Sequence, residues 1–178
     1  MRRGKSKLLI STPLTPPAIL SSDHSLNDFN CGNPTLEKWL KRYAMLNQQA
    51  NSARTFVVCK EKSVIGFYAL AVGSIEYETA GERLKKGLAR HPIPVMILAR
   101  LAVDLKFQGQ RVGSGLLKDA VLRTLAAADL AGIRAIFIHA KDEKARIFYE
   151  RFDFESSPID PMKLMLLLKD AQKTITGL

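Results

Sequence analysis

Cysteine is scarce in this sequence: Cys31 and Cys59 are the only two in 178 residues, far apart and in no C-x-x-C motif. That argues against a disulfide framework and suits a reducing compartment, so a cytoplasmic protein is expected. Histidine is nearly as rare. His24, His91 and His139 have no companions at metal-ligand spacing, and no metal is expected. Long apolar runs are missing too, since "PVMIL", "LAVDL" and "MKLMLLL" fall short of the about 20 residues a membrane-spanning helix needs. No membrane association is expected. Basic residues precede "LLI" near the N-terminus, but Pro13, Pro16 and Pro17 break the apolar region and no clear small-residue cleavage site follows, against a secretory signal. Acidic charge is the last shortage. Seventeen Asp and Glu face 27 Lys and Arg, a net charge of +10. Such a surplus favours a polyanion or an acidic protein as partner, or is simply a basic soluble surface.

What remains is ordinary globular composition, 47% hydrophobic and 25% charged, long enough to bury a core. One domain over residues 1–178 is expected, with residues 1–13 a flexible basic arm. "PLTPPAIL" reads as an extended segment, because proline and its predecessor avoid helix. "CGNPTLEKWLKRYAML" reads as a helix capped by Asn33 with Pro34 at its first position; Leu36, Trp39, Leu40 and Tyr43 share one face. "TFVVC" and "VIGFYALAV" across "KEKS" predict a β-hairpin. A charged excursion with a short helix follows. "IPVMILARLAVD" predicts a central strand, and the residues after "QGQRVGSG" predict a helix with Leu117, Ala120, Val121, Thr124, Leu125 and Ala128 on one face, stopping at Gly132. "RAIFIHA" predicts a strand, "EKARIFYERF" a helix capped by Asp142, and "MKLMLLL" a last strand. The order implies an α/β fold, a mixed sheet with helices packed on it.

The stretch with chemical content is strand, glycine-rich turn, helix. Successive N–H groups in such a turn, with the unpaired N–H groups of a helix start, suit phosphate oxygens, and a Cβ would block their approach to the backbone. No G-K-[ST] follows, which excludes the Mg-nucleotide loop, and G-x-G-x-x-G is absent. On packing grounds alone the glycines could instead serve close helix contact, and Tyr149 could be a core aromatic beside Phe148.

Gln110, Arg111, Val112, Gly113, Ser114 and Gly115 form a Q-x-x-G-x-G loop that resembles the pyrophosphate-binding loop of the GNAT acetyltransferases. "KARIFYERFDF" resembles that family's A-x-x-F-Y-x-x-x-G-F segment, with Asp153 where glycine is usual. The resemblance implies the GNAT fold, a central mostly antiparallel sheet with two splayed strands and flanking helices. It also implies acetyl-CoA as cosubstrate. The residues it places around that cosubstrate are Leu101, Ala102, Val103, Gln108, Gln110, Arg111, Val112, Gly113, Ser114, Gly115, Asp142, Ala145 and Phe148. It makes Tyr149 the catalytic residue, its hydroxyl on the departing sulfur. Reference pKa values put full proton transfer from tyrosine to thiolate uphill by roughly 2 kcal/mol, so charge stabilisation is the expected role. A backbone N–H of the long strand would polarise the thioester carbonyl. For a general base only Asp104 or Glu76 offers itself, and so thin a supply leans toward an α-amine, which deprotonates near neutrality.

"DFNCGNPTLEKWLKRYAMLNQQ", the hairpin, "RHPIPVMILARLAVDLKFQGQRVGSGLL" and "AKDEKARIFYERFDF" together resemble the GNAT toxins of bacterial toxin–antitoxin pairs, from about residue 14 to the C-terminus. This implies acetylation of the α-amino group of aminoacyl-tRNA and a block of translation. It also implies neutralisation by a ribbon-helix-helix antitoxin, and a homodimer. Lys41, Arg42, Arg83, Lys85, Lys86, Arg90 and Lys144 could line a tRNA surface. Acetylation of a small or protein amine, and a non-catalytic module that keeps the fold, stay open as alternatives.

Overall fold

In the computed structural model, which describes residues 12–176, every strand joins one seven-stranded sheet. The strands are β1 (Ala18–Ile19), β2 (Arg54–Lys60), β3 (Ser63–Ile75), β4 (Ile93–Val103), β5 (Ala135–His139), β6 (Glu155–Ser156) and β7 (Lys163–Leu167), in the order β1-β2-β3-β4-β5-β7-β6. All neighbours run antiparallel except β4 and β5. The parallel pair is forced by its connection, which crosses over through the longest helix, α4 (Val112–Ala128). The expected α/β mixed sheet with flanking helices is the one observed.

Side-chain alternation divides the core. Tyr68, Leu70, Met96, Leu98, Ile136 and Ile138 point to the face covered by α4, where Leu116, Leu117, Ala120 and Val121 are fully buried. On the opposite face, Phe67, Ala69 and Ala102 pack under α1 (Pro34–Arg42), whose Trp39 stacks on Phe67 at 6.0 Å. Ile93, Val95 and Ala135 pack under α3 (Glu82–Lys85) on that same face. One irregularity matters later. Ala69 pairs with Arg100 but Leu70 pairs with Leu98, so Ala99 is an extra residue in β4, a bulge that flips the alternation beyond it.

Asn33 caps α1 as expected, accepting from the N–H groups of Thr35 and Leu36. The helix breaks at Tyr43 and resumes as α2 (Ala44–Gln49). The N-terminal segment contributes only Ala18–Ile19 as strand, plus a bridge from Leu14 to Lys60. Of the expected flexible arm, residues 1–11 lie outside the described residues. The long helix stops at Ala128 rather than near Gly132; its last turn closes by bonds from Asp129, Leu130 and Ala131, without a glycine cap. The last strand ends at Leu167, and the chain turns into a helix absent from the sequence reading, α6 (Leu168–Thr176). Its buried face is Ala171, Thr174 and Ile175, an i, i+3, i+4 stripe in which a threonine stands where an apolar residue would have flagged the period. Strand β6 was missed because two residues carry no period.

Asp153 follows α5 (Glu143–Glu150) with φ +63°, the left-handed conformation glycine usually supplies. Its carboxylate accepts from the Thr174 hydroxyl of α6 at 3.2 Å. The departure from the glycine pattern therefore leaves the turn geometry in place. Asp153→Ala, which loses both that bond and the side chain's tolerance of this conformation, is expected to cost about 1–2 kcal/mol in denaturant unfolding, and Asp153→Gly clearly less.

Candidate active site

Pairing between β4 and β5 lasts only three residues, Val95 with Ala135, Met96 with Ile136 and Ile97 with Phe137. Strand β4 then runs on to Val103 and β5 to His139 without partnering each other. The gap opens where the Ala99 bulge bends β4. Beyond the bulge the N–H of Asp104 donates to the Ile65 carbonyl on the β3 side. Backbone alternation therefore turns the N–H and C=O groups of Leu101 and Val103 toward the gap, while those of Ala102 face β3. The Leu101 and Val103 side chains pack toward α4, and Ala102 lies on the other face.

Asp104 fixes how β4 hands over to the glycine turn. It is 5% exposed, accepts the N–H of Asn30 at 3.0 Å and of Lys106 at 2.9 Å, and is backed by a bond from Leu105 N–H to the Asn30 carbonyl. Both oxygens are committed to backbone, which removes Asp104 as a base candidate. Glu76 instead lines a cleft of about 290 Å³ with Ser74, Ile97 and Phe137 on the face opposite α4.

The turn itself is braced by its own polar side chains. Gln108 donates to the Val103 carbonyl at 2.9 Å, and Gln110 to the Lys106 carbonyl at 3.0 Å. Both carboxamides were expected at the cosubstrate; they hold the loop, so what these residues leave available is backbone. Arg111 takes φ +63° and starts α4. The first internal helix bond runs from Gly115 N–H to the Arg111 carbonyl, so the N–H groups of Val112, Gly113 and Ser114 have no carbonyl a turn behind them. No acidic residue sits in this first turn to offset the positive helix end.

Gly109 has φ +74°, but Gly113 and Gly115 are not required by backbone conformation, because neither has positive φ. Nor does packing forbid a side chain. A Cβ on Gly113 would meet Phe148 and Val103 at an ordinary 3.7 Å, and one on Gly115 would meet nothing within 4 Å. Glycine costs a helix about 1 kcal/mol relative to alanine, and nothing among the described residues offsets it. The arrangement fits a ligand that approaches the backbone.

Helix α5 closes the site. Asp142 caps it, accepting the Ala145 N–H at 2.8 Å, so its carboxylate is occupied, and Ala145 is half-buried behind it. Phe148 lies beside Gly113 and meets Tyr149 edge-on at 5.1 Å. Tyr149 is 7% exposed, flanked by Phe148 and Phe154, and its hydroxyl has no hydrogen bond within the protein among the described residues. Burial pushes its pKa well above the usual tyrosine value, so the hydroxyl keeps its proton and is a donor.

The seven basic residues lie on or just beyond three helices. Lys41 and Arg42 are exposed at the end of α1. Arg83 is ion-paired to Glu155 and Asp170, and Lys85 to Glu82 with its ammonium over the Tyr77 ring, which commits both locally. Lys86 and Arg90 are exposed beyond α3, and Lys144 is exposed on α5, on the α4 side of the sheet. A residue the sequence reading passed over is Arg100, whose guanidinium lies 4.2 Å from the Trp39 ring. A lone arginine inside "VMILARLAV" was the signal.

Residues 51–156 match the acetyltransferase (GNAT) domain model. The chain is 45% identical over 159 residues to the tRNA-acetylating toxin of Mycobacterium tuberculosis (strain ATCC 25618 / H37Rv), covering 89% of this chain and 95% of that one. Among solved structures it resembles AtaT complexed with acetyl-methionyl-tRNAfMet, with TM-score 0.84 and 26% identity, covering 90% of this chain and 98% of that one. It also resembles a mutant AtaT toxin bound to the C-terminus of the antitoxin AtaR and acetyl-CoA, with TM-score 0.78 and 27% identity, covering 92% and 99%. With its splayed strands, glycine turn and buried tyrosine, the chain belongs to the GNAT acetyltransferase family.

Proposed function

We propose that this protein is a toxin that moves the acetyl group of acetyl-CoA to the α-amino group of aminoacyl-tRNA, blocks translation, and is neutralised by a cognate antitoxin of the ribbon-helix-helix type. The whole chain acts as one acetyltransferase domain, in the cytoplasm and as a homodimer. The observation that supports the transferase chemistry is a set of donors without partners among the described residues, namely the α4 N-terminus, the gap-facing N–H groups of β4 and the Tyr149 hydroxyl, with Val103 and Phe148 both beside Gly113. The tRNA acceptor rests on the 45% identical tRNA-acetylating relative and agrees with the net charge of +10. That charge disfavours polyamine or aminoglycoside acceptors, which are cations themselves.

In this reading the N–H groups of Val112, Gly113 and Ser114 hold the pyrophosphate of acetyl-CoA, and the pantetheine arm lies in the gap between β4 and β5. The N–H of Leu101 or Val103 donates to the thioester oxygen as negative charge develops there. The free α-amine attacks the carbonyl carbon, the new C–N bond forms, the C–S bond breaks, and the amine's proton ends on the sulfur or in water. Tyr149 donates a hydrogen bond to the departing sulfur. Its raised pKa makes outright proton loss to a thiolate still less favourable, so it stabilises the charge without surrendering the proton. No base is required, since an α-amine with pKa near 8 is substantially free at physiological pH. Holding two reactants in register supplies the rest of the acceleration.

The direct experiment adds protein and labelled acetyl-CoA to total charged tRNA. Label is expected on the RNA fraction and is expected to leave it on ester hydrolysis; label that never reaches RNA would sink the acceptor assignment. Tyr149→Phe should slow acetyl transfer at least tenfold, about 1.4 kcal/mol of barrier, with acetyl-CoA binding retained; a rate within twofold of the parent removes Tyr149 from the chemistry. The rate of the parent protein should rise with deprotonation of the amine near pH 8, with no decline at the ordinary tyrosine pKa of about 10. Gly115→Ala should separate folding from binding. Denaturant unfolding is expected to show a gain of about 0.5–1 kcal/mol in stability, while titration with acetyl-CoA shows weakened affinity. A variant that binds acetyl-CoA as tightly as the parent would show that the glycine serves something else.

A further inference from the structure

Arg100 is held in an unusual way. It sits in the part of β4 that has left β5, immediately after the Ala99 bulge, and its side chain is half-buried. The guanidinium stacks on Trp39 of α1 at 4.2 Å. Among the described residues no carboxylate pairs with it and no oxygen accepts from it. Burial lowers its pKa, yet an arginine starts so high that it remains charged at neutral pH. A guanidinium with its face on an aromatic ring still presents its N–H edge, and because its nitrogens keep access to solvent and have no protein acceptor among the described residues, those donors are open to an incoming ligand.

The face on which it stands decides which ligand. Its neighbour Leu101 packs toward α4, the side of the glycine turn, whereas Arg100 shares the opposite face with Ala69 and Ala102. It therefore looks away from the proposed pyrophosphate site. Burial is the whole cause of its lowered pKa, and no neighbouring carboxylate among the described residues neutralises it. Arg100 is next in the chain to Leu101, whose N–H faces the gap where the thioester would sit. An acceptor entering from this face carries its amine to the gap and its remaining groups past Arg100.

Resting on the reading of aminoacyl-tRNA as the acceptor, we propose that Arg100, presented edge-on by its stack against Trp39, binds the phosphate of the acceptor's terminal nucleotide and so selects an amine ester-linked to a nucleotide over a free amine. The phosphate accepts two N–H bonds from the guanidinium fork. Trp39 is then a positioning residue: it fixes the plane of the fork. A polyamine or aminoglycoside would bring a cation to a fixed cation, which excludes it at the same point.

Two small acceptors isolate the phosphate: adenosine with a 3′-linked aminoacyl ester, and the same compound bearing a 5′-phosphate. With the parent protein the phosphorylated acceptor should have a KM at least tenfold lower, with similar kcat. Arg100→Gln should erase most of that difference while acetyl-CoA affinity and turnover of the unphosphorylated acceptor stay within twofold. Arg100→Lys, which keeps the charge without the fork, should retain part of it. Equal use of the two acceptors by the parent overturns the inference, and so does a preference that survives Arg100→Gln. If that variant does not fold, Arg100→Lys decides, because an undiminished preference there overturns it as well. Charged tRNA run in parallel separates the two levels. A parent protein that acetylates no charged tRNA defeats the acceptor assignment and this inference together, whereas acetylation of charged tRNA without a phosphate preference defeats the inference alone.

Discussion

The parallel contact between β4 and β5 is three residues long, and the rest of the molecule is arranged around the place where it fails. A parallel pair needs a crossover, and here the crossover is the glycine turn and α4, so the same connection that makes the strands parallel delivers a helix N-terminus to the mouth of the gap. The Ala99 bulge bends β4 away from β5 and reverses which side chains face which core. Without that reversal Arg100 would point into the α4 core and Leu101 out of it. One extra residue thus sets the opening, the direction of two free N–H groups and the placement of a charge.

The polar groups near the gap fall into two kinds. Asp104, Asp142, Gln108 and Gln110 are committed to backbone partners and hold the loop and helix ends in place. The N–H groups at the start of α4, the Tyr149 hydroxyl and the Arg100 guanidinium are not committed within the protein among the described residues. Polar groups of the first kind give a rigid frame, and those of the second define what the frame is for. Buttressing comes from farther away. Tyr68, buried under α4, donates to Asp119, whose carboxylate also pairs with Arg123 at 2.8 Å, and Arg123 reaches the Pro17 carbonyl at 3.2 Å. That chain ties the N-terminal segment, the sheet and α4 into one unit. Burial, and after it the neighbouring Asp119 carboxylate, hold the Tyr68 hydroxyl protonated, which keeps it a donor.

Much of this was legible before any coordinates, where a local pattern and a local cause coincide. The capped helix at Asn33 and Pro34, the hairpin, the long strand, the glycine turn and the aromatic helix ending in Tyr149 all have signals within a few residues. Among the site residues chosen by resemblance there is one distinction the pattern could not make: Gln108, Gln110 and Asp142 spend their side chains on backbone partners of the loop and helix ends. The basic residues illustrate the opposite limit. Arg83 and Lys85 looked like free charge in the chain, but Glu155, Asp170 and Glu82 take them up, the first two from far along the sequence. Helix α6 was hidden because its buried stripe contains Thr174, whose partner Asp153 is 21 residues away.

By itself the sequence determined the elements, the glycine turn and the resemblance to acetyltransferases, because each depends on residue type and short spacing. It also determined the net charge, which is a sum and needs no fold. Only the tertiary structure decided where β4 and β5 part, which N–H groups face the gap, and that Arg100 is stacked and unpaired while Arg83 is not. Those properties depend on strand register and on partners distant in the chain, and a one-residue change of register moves every side chain to the other face.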